Sequence, residues 1–313
     1  MYYYYQLMGF IFRSSIEIAQ LMPAISKDKF DVELIIGKVP EEIHQEIADK
    51  NINNNVNFTE DYIWMRNIYG IFAVYKTGKI YVEDTSGSDP LFLLQFVFGY
   101  GISMFAHLHD MVALHCGSVS INGKAIVITG ASGAGKSTLT TELIEEGAKM
   151  ISDDVVAVGF RDQVLCAYPA FPQQKLCRDA AIRKGYKLED LIYIDPGKDK
   201  FAIKRHKDFI TEPQKLHTFF ALEWYDPNLE ENKKYNGEVI TEELSGFNKL
   251  EMVVKQLFIM ALLRISGLPA KQFQLCVDIA ANVPIVVIKR PEKSDTMNEV
   301  KKCIYKIVGE ENA

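Results

Sequence analysis

The run Gly130-Ala131-Ser132-Gly133-Ala134-Gly135-Lys136-Ser137 constrains this chain more than any other stretch. Glycine, four residues, Gly-Lys and then Ser or Thr is the spacing that cradles a nucleotide triphosphate. An apolar, β-branched run, Ala125 to Thr129, precedes it, and a segment of helical period, Thr138 to Glu146, follows it and stops at Gly147. Strand, glycine loop and helix are what the chemistry requires. The glycines let backbone N–H groups approach phosphate oxygens, and the helix N-terminus adds the positive end of its dipole. The candidate nucleotide-holding residues are Gly130, Ser132, Gly133, Ala134, Gly135, Lys136, Ser137 and Thr138. Lys136 is expected to reach the β- and γ-phosphates, and the Ser137 hydroxyl to ligate a metal ion. The cofactors expected are ATP, or GTP in its place, and Mg²⁺.

Composition narrows the setting. A length of 313 residues holds one large domain or two modest ones. A hydrophobic fraction of 48% and a charged fraction of 24% describe an ordinary globular chain. The net charge of −6 gives no electrostatic footprint for nucleic acid or an anionic membrane, so neither partner is expected. Cys116, Cys166, Cys177, Cys276 and Cys303 are scattered without C-x-x-C spacing, which suits reduced thiols and a cytoplasmic setting. The Tyr-rich start, Tyr2 to Tyr5, lacks the basic n-region of a signal peptide. The longest apolar run, Leu91 to Ala106, is shorter than the ~20 residues that span a bilayer and is expected to be a buried helix.

The overall expectation is an α/β (α+β) chain with a β-rich N-terminal part. Residues 1–110 read as that part, ending in the buried helix over Pro90 to Asp110, and residues 111–313 as the core around the glycine loop. Aromatic and β-branched segments at Tyr2–Phe12, Asp31–Ile36, Asn57–Ile63, Ile68–Tyr75 and Lys79–Val82 predict strands, with Thr77-Gly78 as a hairpin turn. Ala113–Ile121 and Lys124–Thr129 predict two more, joined by Asn122-Gly123. After the loop helix come a strand over Lys149–Ile151, a polar, exposed excursion over Asp226–Lys249, helices over Leu250–Ile265 and Ala270–Ala281, and a last strand over Ile285–Ile288.

The next chemical signal is Asp153-Asp154, directly after the strand that follows the loop helix. A carboxylate at a strand end near the phosphates can hold Mg²⁺ or accept the proton of an attacking hydroxyl. Successive strand-like residues face opposite ways, so two adjacent carboxylates can divide those tasks. His115 lies on the predicted strand Ala113–Ile121, from which an imidazole could hydrogen-bond an aspartate or a phosphate oxygen. The candidate catalytic residues are Asp154, His115, Lys136 and Asp153, and the candidate metal ligands Ser137 and Asp153. Basic residues Lys198, Lys200, Lys204, Arg205 and Lys207 cluster around Phe201 and His206. They read either as a solvated edge or as a clamp on phosphate or an acidic peptide. Arg264, Lys175 and Arg178 are further cationic candidates.

His115 stands 21 residues before Lys136, and Asp154 stands 18 after it. His-x-Gly, a hairpin, the glycine loop and Asp-Asp in this order resemble the C-terminal kinase domain of the HPr kinase/phosphorylase family over about residues 113–158. The resemblance implies a P-loop core of the HPr kinase and phosphoenolpyruvate carboxykinase type. It implies phosphoryl transfer to a serine hydroxyl, with Asp154 as proton acceptor, His115 supporting it, Lys136 on the phosphates and Ser137 on Mg²⁺. The family also carries a Leu-Glu-x-Arg-Gly-type segment past the acidic pair whose glutamate helps hold the metal. Here Tyr168 to Arg178 contains no glutamate, so the second metal ligand stays open, with Asp153 one candidate.

The bifunctional enzymes' phosphorylase segment is absent too, and assembly as a homo-oligomer does not transfer with a motif. More diffusely, the Tyr-rich opening, Asp31 to Pro40 and the Tyr-Pro…Phe-Pro stretch after the acidic pair resemble stand-alone HPr-kinase-like proteins encoded with ribosomally made peptides, notably lasso peptides. Those proteins phosphorylate the C-terminal serine of a precursor, which implies a peptide or small-protein partner with an acceptor serine. Two other readings stay open: a kinase of a free small molecule such as an amino acid, and an ATP-sensing module without transfer.

Overall fold

The computed structural model describes residues 1–49, 55–87, 93–94, 96–195, 199–259, 263, 267–292 and 294–309. It is a strand-rich, mixed α/β structure whose described strands form three sheets.

The first sheet has eight strands in the order Met22–Pro23, Tyr3–Leu7, Phe10–Ser14, Val32–Ile36, Lys79–Asp84, Gly70–Tyr75, Tyr62–Arg66 and Val56–Phe58. Both faces are covered. On one, Ile43 of the helix Glu41–Ala48 packs with Val39, Trp64, Ile71 and Ala73. On the other lie a π-turn, Val97–Gly101, and the helix Ile102–Leu108, whose Met104 and Phe105 are fully buried. That second core runs on past position 110 to Ala113, Val155, Ala157, Ala170 and Phe171, so one apolar cluster joins the first sheet to the second.

The second sheet positions the glycine loop. Its long strand Gln214–Tyr225 runs parallel to Lys124–Gly130 on one side and to Ile285–Pro291 on the other. Gly117–Ile121 and then Lys149–Ser152 extend it beyond Lys124–Gly130. Side chains alternate as strand geometry demands. Ala125 and Val127 face a core with Val253, Leu257 and Ile279, whereas Ile126 and Ile128 face one with Leu139, Leu143, Val300 and Ile304. Helices therefore cover both sides: Lys136–Glu145 and Met297–Val308 on one, Phe247–Lys255 and Ala270–Asn282 on the other. A second arm leaves the first residues of Gln214–Tyr225 through Val164–Tyr168 and Val156–Arg161 to Val112–Leu114. The third sheet, Gln173–Cys177, Lys200–Lys204 and Ile192–Asp195, stands beside the loop helix.

Several expectations need correction. Tyr2–Phe12 is two strands, because Met8 and Gly9 both take positive φ and turn the chain. Ala113–Ile121 is also two. Between them the ladder partner changes, and the Phe258 N–H donates to Ala113 O and the His115 N–H to Gln256 O. The same contacts interrupt the helix expected over Leu250–Ile265 after Lys255, since Gln256 to Phe258 are drawn into strand-like bonding, and residues 260–262 and 264–266 of that expectation lie outside the described residues. The Asp226–Lys249 excursion contains an edge strand, Ile240–Glu243, antiparallel to Ile285–Pro291. A last helix, Met297–Val308, has no counterpart in the sequence reading. Of the expected buried helix, residues 90–92 and 95 lie outside the described residues, as do Lys198 and Arg264. Among the described residues no helix is long and apolar enough to cross a membrane.

Candidate active site

The strand Lys124–Gly130 ends at the level of Leu222 on its neighbour, and there the backbone makes the turn only glycine allows. Gly130 has φ 152°, and a Cβ on it would stand 2.6 Å from the Leu222 carbonyl oxygen. Gly135, at φ 97°, is the residue from which the helix Lys136–Glu145 starts. Ala131 to Gly133 are exposed, while Ala134 anchors the loop to the core. Lys136 Nζ folds back over the loop and donates to Gly130 O at 2.7 Å and Ala131 O at 3.2 Å. Burial holds its pKa below the ordinary lysine value. Gly117 of the His-x-Gly motif has a packing reason: a Cβ there would lie 2.9 Å from Thr140 Oγ1 on the loop helix.

The acidic pair follows the strand Lys149–Ser152, and the two carboxyls meet opposite environments. Asp153 is buried and accepts the Lys175 backbone N–H at 2.7 Å. Burial, and then the neighbouring Asp154 charge, push it up from 3.8 to about 6. Asp154 sits in the left-handed region at φ 68°. It accepts from Lys175 Nζ at 2.9 Å and stands 3.4 Å from His115 Nε2. Burial works to raise it, but the Lys175 ammonium, with His115 and Lys200, outweighs burial and holds it at about 2. Asp154 is therefore ionised at neutral pH. The charges of Asp154 and Asp153 both bear on the Lys136 ammonium, so the pair and the loop form one electrostatic unit.

His115 reaches this site from the link between two strands rather than from within one, and about half of its side chain is exposed. Its position is set from below. Its N–H is held by Gln256 O, its ring lies 5.7 Å from that of Phe258, and the Gln256 side chain accepts from Thr129 Oγ1 at 2.6 Å. The turn after Phe247–Lys255 thus ties His115 to the strand that carries the loop.

Lys175 is the residue that the sequence left among lesser candidates, and the structure gives it two contacts with the acidic pair. It comes from the third sheet, where the strand Gln173–Cys177 also presents Gln174. Gln174 is fully buried, accepts Nε and Nη2 of Arg205 at 3.0 and 2.7 Å, and points its amide at Ser137 O, 3.4 Å away. The segment lacking a glutamate is therefore the one that docks the third sheet on both the loop helix and the acidic pair. The basic cluster does not act as one group. Lys200 faces the acidic pair, Arg205 turns inward to Gln174, and Lys204 and Lys207 stay exposed. Arg178 is paired with Asp199 at 2.7 and 2.9 Å.

The donor set fits a magnesium nucleotide. Among the described residues no three His, Cys, Asp or Glu side chains gather to hold a metal alone. Mg²⁺ ordinarily takes one or two protein ligands with phosphates and water. A carboxyl pushed up first by burial and then by its ionised neighbour is a place where a cation relieves both costs, which suits Asp153. The lysine, the loop amides and the helix N-terminus suit the phosphates.

No curated protein matches the chain. Among solved structures, that of the Hpr(Ser) kinase/phosphatase from Coxiella burnetii is similar, with a TM-score of 0.30 and 14% identity, covering 63% of this chain and 93% of that one. Residues 106–173, which hold His115, the glycine loop and both aspartates, match the family model of the HPr Serine kinase C-terminal domain.

Proposed function

We propose that this protein transfers the γ-phosphate of ATP to a serine hydroxyl of a peptide or small protein, with a ribosomally made, lasso-type precursor as the substrate class. The observation that carries the reading is the ionised Asp154, held between His115 and Lys175 and electrically coupled to Lys136 at the head of the loop helix. The family match over residues 106–173 supports it.

Lys136 and the amides of Gly130 to Thr138 bind the triphosphate, and Ser137 and Asp153 hold Mg²⁺. When bound, the magnesium nucleotide supplies the phosphoryl group and neutralises charge on it. Asp154 orients the acceptor O–H and takes its proton. A carboxylate of low basicity suffices for this where the transition state is loose, because the attacking oxygen gains little positive charge until late. His115, 3.4 Å from that carboxylate, adds a second polar neighbour on its far side from Lys175 and steadies it. Lys175 and Lys200 keep it ionised and face the developing charge.

The test is label transfer from γ-labelled ATP, with serine-ended precursor peptides and free serine offered side by side. Label in peptide is the expected result. Label in free serine alone makes the protein a small-molecule kinase, and binding of ATP with no transfer to either makes it a sensor.

A further inference from the structure

Arg290, near the end of the strand Ile285–Pro291, is a buried guanidinium that forms no ion pair among the described residues. It is 7% exposed, and its Nε makes no hydrogen bond. Nη1 approaches the Met297 sulfur, at 3.9 Å, and one face of the guanidinium lies 3.8 Å from the Trp224 ring. Asp295 and Glu142 act on it through space without forming an ion pair. A charge left buried and unpaired is unfavourable, so its placement calls for a counter-charge.

The register shows where that counter-charge would lie. Gly130, Leu222 and Ile288 stand level on three parallel strands, and Arg290 is two residues further along, beyond the level where the loop begins. Arg290 is also on the loop-helix side, because a Cβ on Gly135 would meet its Nη2 at 3.4 Å and the Met297 methyl at 3.5 Å. Gly135 is the residue from which the loop helix starts, so the guanidinium edge points at that helix N-terminus. The missing side chain at Gly135 is what leaves the approach open. His115, Asp154 and Lys175 stand at the Lys149–Ser152 side of the loop, with Arg290 at the opposite, Ile285–Pro291 side.

We infer that Arg290 is the counter-charge for the non-transferred phosphates of the bound nucleotide, holding the triphosphate so that its terminal phosphate lies toward Asp154. The inference rests on the nucleotide-binding part of the proposed function. It adds a second cation, 154 residues beyond Lys136, to a site that the motif alone would end at Thr138. Trp224 sets the plane of the guanidinium, and Met297, at the start of the last helix, closes its outer side.

Titration calorimetry with Mg²⁺-ATP and with inorganic triphosphate, alongside thermal melting, tests it on the wild type, Arg290→Met and Arg290→Lys. Arg290→Met is expected to weaken both ligands by about tenfold or more, the scale of a charge-assisted hydrogen bond. Arg290→Lys should weaken them less. The ligand-free melting temperature of Arg290→Met should hold or rise, since an apolar replacement removes an unpaired buried charge. Binding of both ligands by Arg290→Met within twofold of wild type overturns the inference. So does a loss confined to ATP with inorganic triphosphate unaffected, which would move Arg290 to the nucleoside. A ligand-free variant that no longer folds makes Arg290 structural and also overturns it, unless Arg290→Lys folds and still loses inorganic triphosphate. A wild type that binds neither ligand overturns the proposed function itself.

Discussion

Of the carboxylates held below their ordinary range, Glu46, beside the first sheet, and Asp154, at a strand end of the second, are held there by different means. Glu46, on the helix that covers the first sheet, accepts from the Tyr62 hydroxyl, from Trp64 Nε1 at 2.5 Å and from Asn57 Nδ2 at 2.9 Å. Burial works against its ionisation, and those three neutral donors outweigh it. Asp154 instead depends on cations, Lys175 above all, at a strand end in a strained backbone conformation. Glu46 uses its acceptor capacity on groups that packing fixes in place. Asp154 faces Lys136, a lysine carried on the glycine loop itself, and a neighbouring carboxyl driven the other way. Paired titratable groups pushed in opposite directions mark chemistry, whereas a carboxylate satisfied by fixed neutral donors marks structure.

The strongest way to break this contrast is Asp154→Asn. Transfer is expected to fall about 10³-fold, in the range for loss of a positioned acid–base group, with ATP affinity kept within a few-fold. Single-turnover label transfer and calorimetry on the same sample decide it. Transfer within tenfold of wild type would remove Asp154 from the proton step.

Glu46→Ala should show the reverse profile. It leaves the Tyr62 and Trp64 donors without an acceptor, and Trp64 is fully buried. An expected loss of about 2–3 kcal/mol follows from stranded buried donors, read by denaturant unfolding, with transfer by the folded fraction unchanged. Lost transfer at undiminished stability would make the first sheet part of the site.

How much of this was legible in the sequence follows from how local each cause is. The loop strand, the loop helix and the Asn122-Gly123 and Thr77-Gly78 turns are dictated by neighbours a few residues away, and all four stand where expected. The break at His115-Cys116 and the interruption of the helix after Lys255 are one event seen from two ends of the chain, a pairing between segments more than a hundred residues apart, which no local pattern carries. The roles of Gln174 and Lys175 were hidden for the same reason. The expected glutamate drew attention to what the segment lacked, whereas its contribution comes from a main-chain N–H and a lysine brought over by sheet packing. Arg290 was silent because a lone arginine at a strand end has no signature until the register places it beside Gly135.

Asp153 sharpens the contrast through pH. Its folded-state pKa, about 6, lies above the ordinary 3.8, so the native protein holds a proton that the unfolded chain releases between those values. Its contribution to stability therefore falls as pH rises from about 4 to about 6. Asp153→Asn abolishes that step. The difference in unfolding free energy, variant minus wild type, should grow by about 2 kcal/mol across the window and stay flat above it. A difference that does not change between pH 4 and pH 7 would mean that Asp153 is not raised.

Lys175→Met gives the smallest effect and the opposite sign. The variant keeps the backbone N–H that serves Asp153 and removes the ammonium, which bonds Asp154 and acts on Asp153 only through space. Asp154 titrates near 2 in the native protein and near 3.8 when unfolded, so it stabilises above about pH 4 and loses that contribution as pH falls through about 2. Without Lys175 its native value moves back toward 3.8, and the variant should lose about 1 kcal/mol relative to wild type at pH 5, a gap that closes by about pH 2. Asp153→Asn and Lys175→Met thus predict slopes of opposite sign in adjacent windows from residues one bond network apart. Matching slopes would mean that the pair titrates as a single group, and the division of labour between holding metal and taking a proton would lose its physical basis.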